Sequence, residues 1–252
     1  MSNIGLALIS YDRPDFLKRT LDSLESHQWG GASYKTVIVD ERYDDDKYGW
    51  IQNYPHLTIH YKENEGVAPT KNLAINTLLA KDCEHLFIME DDILMSNHLT
   101  CLQYVDYANK TKVPHLNFAL HGELNKGRKK IAIWQRVDHA DTTVHVYPNC
   151  VGAFSYYSRG IIEQVGLIDE NFRNAWDHVE HTWRICQTGK IPPFWYFMDH
   201  PDSDLLLKEQ IGSLQASVIR KNPDWTAKVN AGREYWIKKH GTFLPLMPQW
   251  NP

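Results

Sequence analysis

Three consecutive carboxylates interrupt an apolar run in the segment His85-Leu86-Phe87-Ile88-Met89-Glu90-Asp91-Asp92-Ile93-Leu94. Short apolar runs are typical of buried strands, and acids at the carboxyl end of such a strand lie where open α/β sheets bind ligands. Because three adjacent carboxylates repel one another, we expect a positive partner beside them. A Mg2+ or Mn2+ ion carrying substrate phosphates suits oxygen ligands of this kind. Taken alone, the segment is equally compatible with a solvated acidic turn.

Strand and helix patterns alternate around this segment. The predicted strands are 4–10, 36–39, 57–61 and the apolar residues before Glu90. The predicted helices are 68–79, 97–109 and one that opens at Asp12-Arg13-Pro14-Asp15, where a cap residue, a proline and an early acid coincide. Alternation at this spacing predicts parallel strands joined by crossover helices, and therefore an α/β sheet covered on both faces.

The second half of the chain has a different pattern. Further strands are predicted at 114–120, 131–136, 144–147, 152–156 and 194–198. Further helices are predicted at 160–165, 178–188 and 224–240, the last two followed by Gly189 and Gly241 as stop signals. Lys126-Gly127-Arg128-Lys129-Lys130 is the one basic cluster, and such a run is usually a solvated hairpin tip.

Composition limits the function classes. The chain has 252 residues, 42% hydrophobic and 23% charged, which is ample for a sizeable core in one domain. A formal net charge of -4 gives no overall field that would draw the protein onto nucleic acid or an anionic membrane. The four cysteines form no CxxC pair, which argues against a zinc knuckle or a redox motif. With no signal-peptide pattern and no membrane-span-length run, we expect a soluble cytoplasmic protein.

Four motifs resemble those of the family 2 glycosyltransferases, inverting enzymes of the GT-A fold, over roughly residues 3–200. They are Ser10-Tyr11-Asp12-Arg13-Pro14, Val37-Ile38-Val39-Asp40, Asn64-Glu65-Gly66-Val67-Ala68-Pro69-Thr70-Lys71-Asn72 and Glu90-Asp91-Asp92. The third is similar to the family's N-x-G-x-x-x-A-R-N, with Thr70 and Lys71 in place of Ala and Arg. The fourth takes the place of the D-x-D motif, with glutamate first. Each motif is weak alone, but four in the family's order are fairly specific.

The resemblance implies a single GT-A domain with a mostly parallel central sheet flanked by helices and a smaller acceptor-side sheet. Residues 1–110 would form the nucleotide-binding half, 111–205 the acceptor and catalytic half, and 206–252 a helical extension. Within the first half, Asp40 would accept a hydrogen bond from the uracil or ribose of a UDP-sugar, and Lys71 would approach the base or the diphosphate. Alternatively, Asp40 is only a cap and Lys71 only a solvated helix lysine.

The resemblance also implies the members of the donor and metal sites. The donor site would comprise Ser10, Asp12, Asp40, Asn64, Gly66, Lys71, Glu90, Asp91, Gly152 and Trp176. The Mn2+ or Mg2+ ligands would be Asp92, Glu90 and His200. A bound divalent ion would neutralise the charge that develops on the leaving diphosphate. Gly152 would let the backbone approach the donor sugar closely.

The segment Asn174-Ala175-Trp176-Asp177-His178-Val179-Glu180-His181 is similar to the family's W-E-D-x-D, whose second acid is the general base. Here Asp177 takes the place of the glutamate and His178 that of the base. A helix start tends to lower the pKa of Asp177, whereas histidine titrates near neutrality without any shift. We favour Asp177 over His178 as the base and expect Glu180 to orient them or bind the acceptor. Zinc binding by His178 and His181 is a further alternative, although it lacks a clear third ligand.

These expectations describe a metal-dependent inverting glycosyltransferase that moves a sugar from a UDP-sugar to a hydroxyl of a glycan or another polymer. Trp134, Trp176 and Trp195 could stack on sugar rings, and Trp176 is the one expected to line the site. The basic cluster leaves open an anionic acceptor such as DNA with hydroxymethylated bases. Two rivals are a nucleotidyltransferase, which would need a glycine-rich loop after the first strand, and a non-catalytic binding protein.

Overall fold

A central sheet organises the protein, which is described by a computed structural model over residues 3–122, 125, 135–139, 142–172, 175–191 and 197–243. The strands of the described residues are β1 (Ile4–Ser10), β2 (Tyr34–Val39), β3 (Thr58–Tyr61), β4 (His85–Glu90), β5 (Ile93–Met95), β6 (His115–Asn117), β7 (Gln135–His139), β8 (Thr142–Tyr147), β9 (Phe154–Ser158), β10 (Phe197–Asp199) and β11 (Leu207–Glu209). The α-helices are α1 (Pro14–Ser26), α2 (Asp45–Tyr48), α3 (Val67–Leu79), α4 (Thr100–Thr111), α5 (Arg159–Val165), α6 (Asp177–Cys186), α7 (Ser203–Leu206), α8 (Ser213–Ala216), α9 (Val218–Lys221) and α10 (Trp225–His240).

The central sheet has six strands in the order β3-β2-β1-β4-β9-β6. The first four strands of this order run parallel to one another, and β9 runs antiparallel to both β4 and β6. All seven residues of β1 are buried, as expected for a central parallel strand covered on both faces. Helix α3 packs against β1, β2 and β4. The predicted α/β class with a mostly parallel sheet is confirmed.

The carboxyl ends of β1, β2 and β4 and the start of β9 lie along one edge of this sheet. In the parallel register, Ile9 lies beside Glu90, and Ser10 lies beside Val39. Because β9 is antiparallel to β4, the start of β9 meets the end of β4, and Glu90 N donates to Ala153 O at 2.7 Å. The residues just before β9 therefore reach the same edge as the three carboxylates.

Two small antiparallel sheets complete the strand pairing of the described residues, with the orders β10-β8-β7 and β11-β5. Strand β5 begins directly after Asp92, so the acids occupy a tight turn between β4 and β5. Gln210, which follows β11, fixes this turn. Its backbone N donates to Asp92 O at 2.8 Å, and its Nε2 donates to Asp91 O at 2.8 Å. The C-terminal region thus holds the acidic turn in place.

No helix of the described residues combines the length and the apolar composition needed to cross a bilayer. The longest is α10, whose last turn carries Lys238, Lys239 and His240.

Candidate functional site

A cavity of about 530 Å³ opens at the edge of the central sheet where the carboxyl ends of β1, β2 and β4 lie. Its floor is the acidic turn, and α6 begins at its side with Asp177. Residues of the C-terminal region, including Ser217, Arg220 and Trp225, form another part of its wall. This location agrees with the rule that ligands of open α/β sheets bind beyond the carboxyl ends of the parallel strands.

Asp91, the middle acid of the turn, is fully buried and already paired. Ser10 Oγ donates to Asp91 Oδ2 at 2.5 Å, and the Arg13 guanidinium binds the other oxygen. Burial, together with the neighbouring carboxylates Asp92 and Glu90, raises the pKa of Asp91 to about 7 against the opposing charge of Arg13. Ser10 and Asp91, both predicted to bind the donor, are therefore bonded to each other.

Asp92, the last acid, faces His121 across the cavity floor. His121 Nε2 lies 3.9 Å from Asp92 Oδ2 and 3.6 Å from Glu209 Oε1. His121 and Asp92 are both buried residues. Asp92 Oδ1 and His121 Nδ1 are enclosed but have no hydrogen-bond partner in the part of the chain that the structure describes. Orphaned buried donors and acceptors are costly, so a bound group would relieve both.

Lys71 is the buried hub that joins the acidic turn to α6. Its Nζ lies 3.0 Å from Glu90 Oε1, 3.2 Å from Asp177 Oδ2 and 3.1 Å from Gly152 O. An ammonium group has three protons, so these three acceptors use its full donor capacity. Desolvation would lower the pKa of Lys71, but the charges of Asp177 and Glu90 raise it instead. Lys71 is therefore a structural cation rather than the solvated helix lysine that the sequence also allowed.

Asp177 and His178 form the start of α6 and both line the cavity. Burial would raise the pKa of Asp177, but Lys71 and His178 together hold it below its usual range. His178 Nδ1 lies 3.5 Å from Asp177 Oδ1, and its Nε2 lies 3.0 Å from the Cys150 carbonyl oxygen. A carbonyl only accepts, so Nε2 carries a proton and donates to it.

Gly152 serves this histidine rather than a visible sugar pocket. Its φ is +81°, and a Cβ at this position would lie 2.5 Å from His178 Cγ. Only glycine combines this backbone conformation with such close packing. The group that approaches Gly152 closely is the imidazole of His178, and the contact of Gly152 with a donor sugar stays a prediction.

Glu180, the third candidate for the base, does not line the cavity. It is fully buried, and both of its carboxylate oxygens accept a hydrogen bond from Arg184 Nε, at 3.1 and 3.0 Å. Lys239 Nζ and His240 Nε2, from α10, lie 2.7 and 3.2 Å from Glu180 Oε1. Glu180 lies about one helical turn after Asp177, and its side chain therefore faces α10 instead of the cavity. Its ion pairs join α6 to this C-terminal helix.

Trp176 lines the cavity and is held from behind by α10. Its φ is +71°, its Nε1 donates to Val229 O at 3.0 Å, and Gly232 leaves room for the indole. The ring packs edge-on against Phe243 at 5.0 Å. These contacts fix the orientation of the one tryptophan that was expected to line the site.

A second cavity of about 410 Å³ adjoins the first. Asn64 and Gly66, from the loop before α3, line it, and Asp40 lines both cavities. Lys62 Nζ donates to Asp40 Oδ1 at 2.9 Å. Asp40 is buried, and its Oδ1 accepts from Lys62 Nζ and from Glu65 N, whereas its Oδ2 has no partner among the described residues and remains available at the boundary between the cavities.

Asp12 and His200 lie away from both cavities. Asp12 is exposed and paired with Lys47 at 2.8 Å, because it sits on the outer side of the turn after β1. The ring of His200 packs near Tyr104 and Tyr107, at 5.5 and 5.1 Å between centroids. It follows β10, whose carboxylate Asp199 is bonded to Tyr104, so the loop turns toward α4. The structure therefore does not bring His200 to the predicted metal site.

The remaining candidates divide into two groups. Trp134, Trp195 and the basic cluster 126–130 lie outside the described residues. His181 is fully buried, and its Nε2 bonds Gly166 O at 3.0 Å. Within the described ranges, no three His, Cys, Asp or Glu side chains gather closely enough to hold a metal by themselves. Zinc binding by His178 and His181 therefore finds no support.

Sequence reasoning missed two contributions to the site. His121 lies in a loop after β6 without a motif, and only the return of β6 alongside β9 brings it to Asp92. Residues 213–229, expected to be part of a plain helical extension, supply one wall of the cavity. The only available signal for the second contribution was the serine, arginine and tryptophan content of that region.

The charge of the larger cavity calls for a cation. Its described lining contains six carboxylates, Asp40, Glu90, Asp91, Asp92, Asp177 and Glu209. Three cationic side chains oppose them, Arg13, Lys71 and Arg220. Mg2+ is commonly held by one or two carboxylates plus substrate phosphates, so a site need not supply a full set of protein ligands. Asp92 and His121, whose Oδ2 and Nε2 atoms face each other at 3.9 Å, fit such a partial set.

Comparison with known proteins was made at the level of sequence and of structure. No protein-family model and no curated protein sequence matches the chain. The mannosyltransferase PcManGT from Pyrobaculum calidifontis, determined with GDP-Man and Mn2+, superposes with a TM-score of 0.54 at 16% identity, over 81% of this chain and 56% of its own. Residues 1–349 of TarS from S. aureus, determined with UDP, give 0.56 at 11%, over 95% of this chain and 72% of TarS 1–349.

The same part of TarS with UDP-GlcNAc gives a TM-score of 0.55 at 10% identity. The chain spans little more than half of the mannosyltransferase, and the identities are low, so these likenesses establish the fold alone. With its strand order and the cavity at the strand ends, the chain has the GT-A fold of these glycosyltransferases.

Proposed function

We propose that the protein is a metal-dependent inverting glycosyltransferase that moves a sugar from a nucleotide sugar to an acceptor hydroxyl. The observation that carries the proposal is the excess of carboxylates in a cavity at the strand ends, beside an Asp177–His178 pair. An anionic diphosphate would enter such a cavity only with a cation. The structural neighbours determined with UDP, UDP-GlcNAc and GDP-Man support a nucleotide sugar as donor.

The nucleoside would occupy the second cavity. Asp40, at the boundary, retains one carboxylate oxygen that can accept from a ring N–H such as that of uracil. Asn64 and Gly66 would line the opposite side. The diphosphate would then run past the boundary into the larger cavity, which directs the sugar toward Asp177 and His178. UDP-sugars are our first choice of donor.

Asp92 and His121 would hold the divalent ion together with phosphate oxygens. Asp92 Oδ2 and His121 Nε2 face each other at 3.9 Å across the cavity floor, so a single ion between them would contact both side chains. When bound, the ion would neutralise charge on the departing diphosphate. Ser10 and Arg13 would keep Asp91 from competing for the ion.

The Asp177–His178 pair would accept the proton of the acceptor hydroxyl. The hydroxyl oxygen attacks the anomeric carbon while the bond from that carbon to the diphosphate breaks, and the proton passes to the pair. Nε2 of His178 is engaged with the Cys150 carbonyl, so Nδ1 is the nitrogen that can take a proton. The carboxylate of Asp177, kept ionised by Lys71, would stabilise the resulting imidazolium. We therefore favour His178 over Asp177 as the base, because Oδ2 of Asp177 is paired with Lys71 and Oδ1 faces His178.

The test is release of nucleoside diphosphate from a panel of UDP- and GDP-sugars with Mn2+, with and without simple sugar acceptors. Asp92→Ala should lower turnover by about 100-fold or more, because charge on the leaving group loses its stabilisation. Asp204→Ala removes an exposed carboxylate outside both cavities and should leave turnover unchanged. Full turnover in Asp92→Ala would refute the metal assignment. Tight nucleotide binding without any turnover would favour the non-catalytic rival.

A further inference from the structure

We infer that Arg220, on the short helix α9, is the side chain that binds the diphosphate of the donor. The inference rests on the proposed function and deepens it, since it assigns a role to a region for which the sequence indicated none. A cationic side chain of the larger cavity that is already paired with buried carboxylates is not available to a diphosphate.

Two of the three cations of that cavity are engaged by carboxylates. All three protons of Lys71 Nζ have acceptors within 3.2 Å. The guanidinium of Arg13 binds Asp91, and its Nη1 lies 3.6 Å from Asp92. Either side chain would have to abandon a buried carboxylate before it could bind a phosphate. Leaving a buried charge unpaired is strongly unfavourable, so neither cation is available to a diphosphate.

Arg220 differs from both. It is exposed and lines the larger cavity, and its guanidinium has no hydrogen-bond or ion-pair partner among the residues that the structure describes. Ser217 caps α9 by accepting from Arg220 N at 3.3 Å, which positions the backbone of this residue. A planar guanidinium with free N–H groups suits bidentate binding of phosphate oxygens.

The location of α9 matches the path of a diphosphate. Val218 and Ile219, next to Arg220, line both cavities, so α9 lies over their shared boundary. A nucleotide sugar with its nucleoside beside Asp40 and its sugar beside Asp177 would place its phosphates at this boundary. The acidic turn, with Asp92 and a metal, would contact one side of the phosphates, and Arg220 would contact the other.

The experiment measures binding of UDP, GDP and uridine to the full chain by calorimetry, with Mn2+ present, for wild type and for three variants. Arg220→Gln should weaken binding of the diphosphates by about tenfold or more, since a charge-assisted phosphate contact is lost. Binding of uridine, which has no phosphate, should not change. Arg220→Lys should recover part of the loss. Lys221→Gln, which removes the same charge from the next residue outside both cavities, should leave UDP binding unchanged.

The outcomes separate this inference from the function beneath it. If wild type binds UDP or GDP and Arg220→Gln binds it equally well, the role of Arg220 is refuted while the donor site stands. Equal losses in Arg220→Gln and Lys221→Gln would also refute it, because a general field effect would explain both. If wild type binds neither diphosphate, the proposed function fails and the inference fails with it. A lowered uridine affinity in Arg220→Gln would indicate disruption of the cavity wall instead of a phosphate contact.

Discussion

Asp91 and Asp177 are buried carboxylates at the same edge of the sheet, and each is paired with one cation, yet their pKa values move in opposite directions. Burial raises the pKa of Asp91 to about 7 in spite of Arg13. Burial also acts on Asp177, but Lys71 and His178 outweigh it and lower its pKa. The difference lies in the neighbours, because Asp91 stands between two other carboxylates, whereas Asp177 stands between two potential cations.

This contrast divides the site into two electrostatic parts. The group at α6, made of Lys71, Asp177 and His178, compensates its own charge and is preformed. The acidic turn carries more negative charge than Arg13 can balance, so it gains most from a bound cation. Under the proposed function, a preformed base would stand beside an acidic turn that receives its cation together with the donor.

The largest expected effect comes from removing the hub of the compensated part. Lys71→Met leaves Asp177 and Glu90 without their cation in a buried setting, and the free energy of unfolding should fall by about 3 to 5 kcal/mol. Lys47→Met removes a lysine of the half-exposed ion pairs with Asp12 and Glu41 and should cost about 1 kcal/mol or less. Urea denaturation measures both. Equal costs would show that burial of the Lys71 pairs contributes nothing special.

The next effect compares the two carboxylates directly. Asp177→Asn removes a charged partner of Lys71 and should lower the free energy of unfolding by about 1.5 to 3 kcal/mol. Asp91→Asn should cost less than about 1 kcal/mol, because it removes a charge that two neighbouring carboxylates disfavour and Arg13 keeps Asp92 as a charged partner at 3.6 Å. Both free energies are measured by urea denaturation near pH 7 without metal. A larger loss for Asp91→Asn would reverse the division into compensated and uncompensated parts.

The smallest effect is the pH dependence of stability. The folded pKa of Asp91 is raised from 3.8 to about 7, so the folded state holds this proton when the unfolded state has lost it. The free energy of unfolding should therefore decrease as the pH rises from about 4 to about 7. Asp177 has a lowered pKa and acts with the opposite sign, since its contribution is lost only as the pH falls below its ordinary range.

Urea denaturation across that pH window tests this sign. Asp91→Asn should flatten the slope between pH 4 and 7, and so should saturation with Mn2+ and UDP, because a bound cation favours ionised carboxylates. An unchanged slope in Asp91→Asn would mean that another group titrates there. Asp199 has a pKa raised to about 7 by burial and is the first alternative, so Asp199→Asn is the matched comparison.

The sequence was sufficient where local patterns carry the information. Alternating apolar runs and helix signals predicted strands β1 to β4 and helices α1, α3 and α4 to within a few residues. The order of the motifs also placed Lys71, Glu90 and Asp177 among the candidates, and these three side chains meet. Their ion pairs join α3, β4 and α6, which parallel strand pairing and helix packing bring together.

Site assignments that depended on the direction in which a side chain points were less predictable. Asp177 and Glu180 are three residues apart in one acidic motif, but Asp177 faces Lys71 and Glu180 faces α10. His200 was chosen for its position in the motif order, and the loop after β10 turns it toward Tyr104 and Tyr107. Sequence spacing states which residues share a helix face, but not which neighbour covers that face.

The sequence by itself determined the alternation of strands and helices and the acidic turn after β4, and it predicted a positive partner beside that turn, because periodicity and like-charge repulsion act locally. The tertiary structure decided which carboxylates are already neutralised, because Arg13 and Lys71 meet their carboxylate partners only when separate elements pack together. It also brought His121, from a loop, and Arg220, from the short helix α9, to the cavity, and neither residue lies in a motif. Long-range contacts set those positions, and residue order does not encode them in any local pattern.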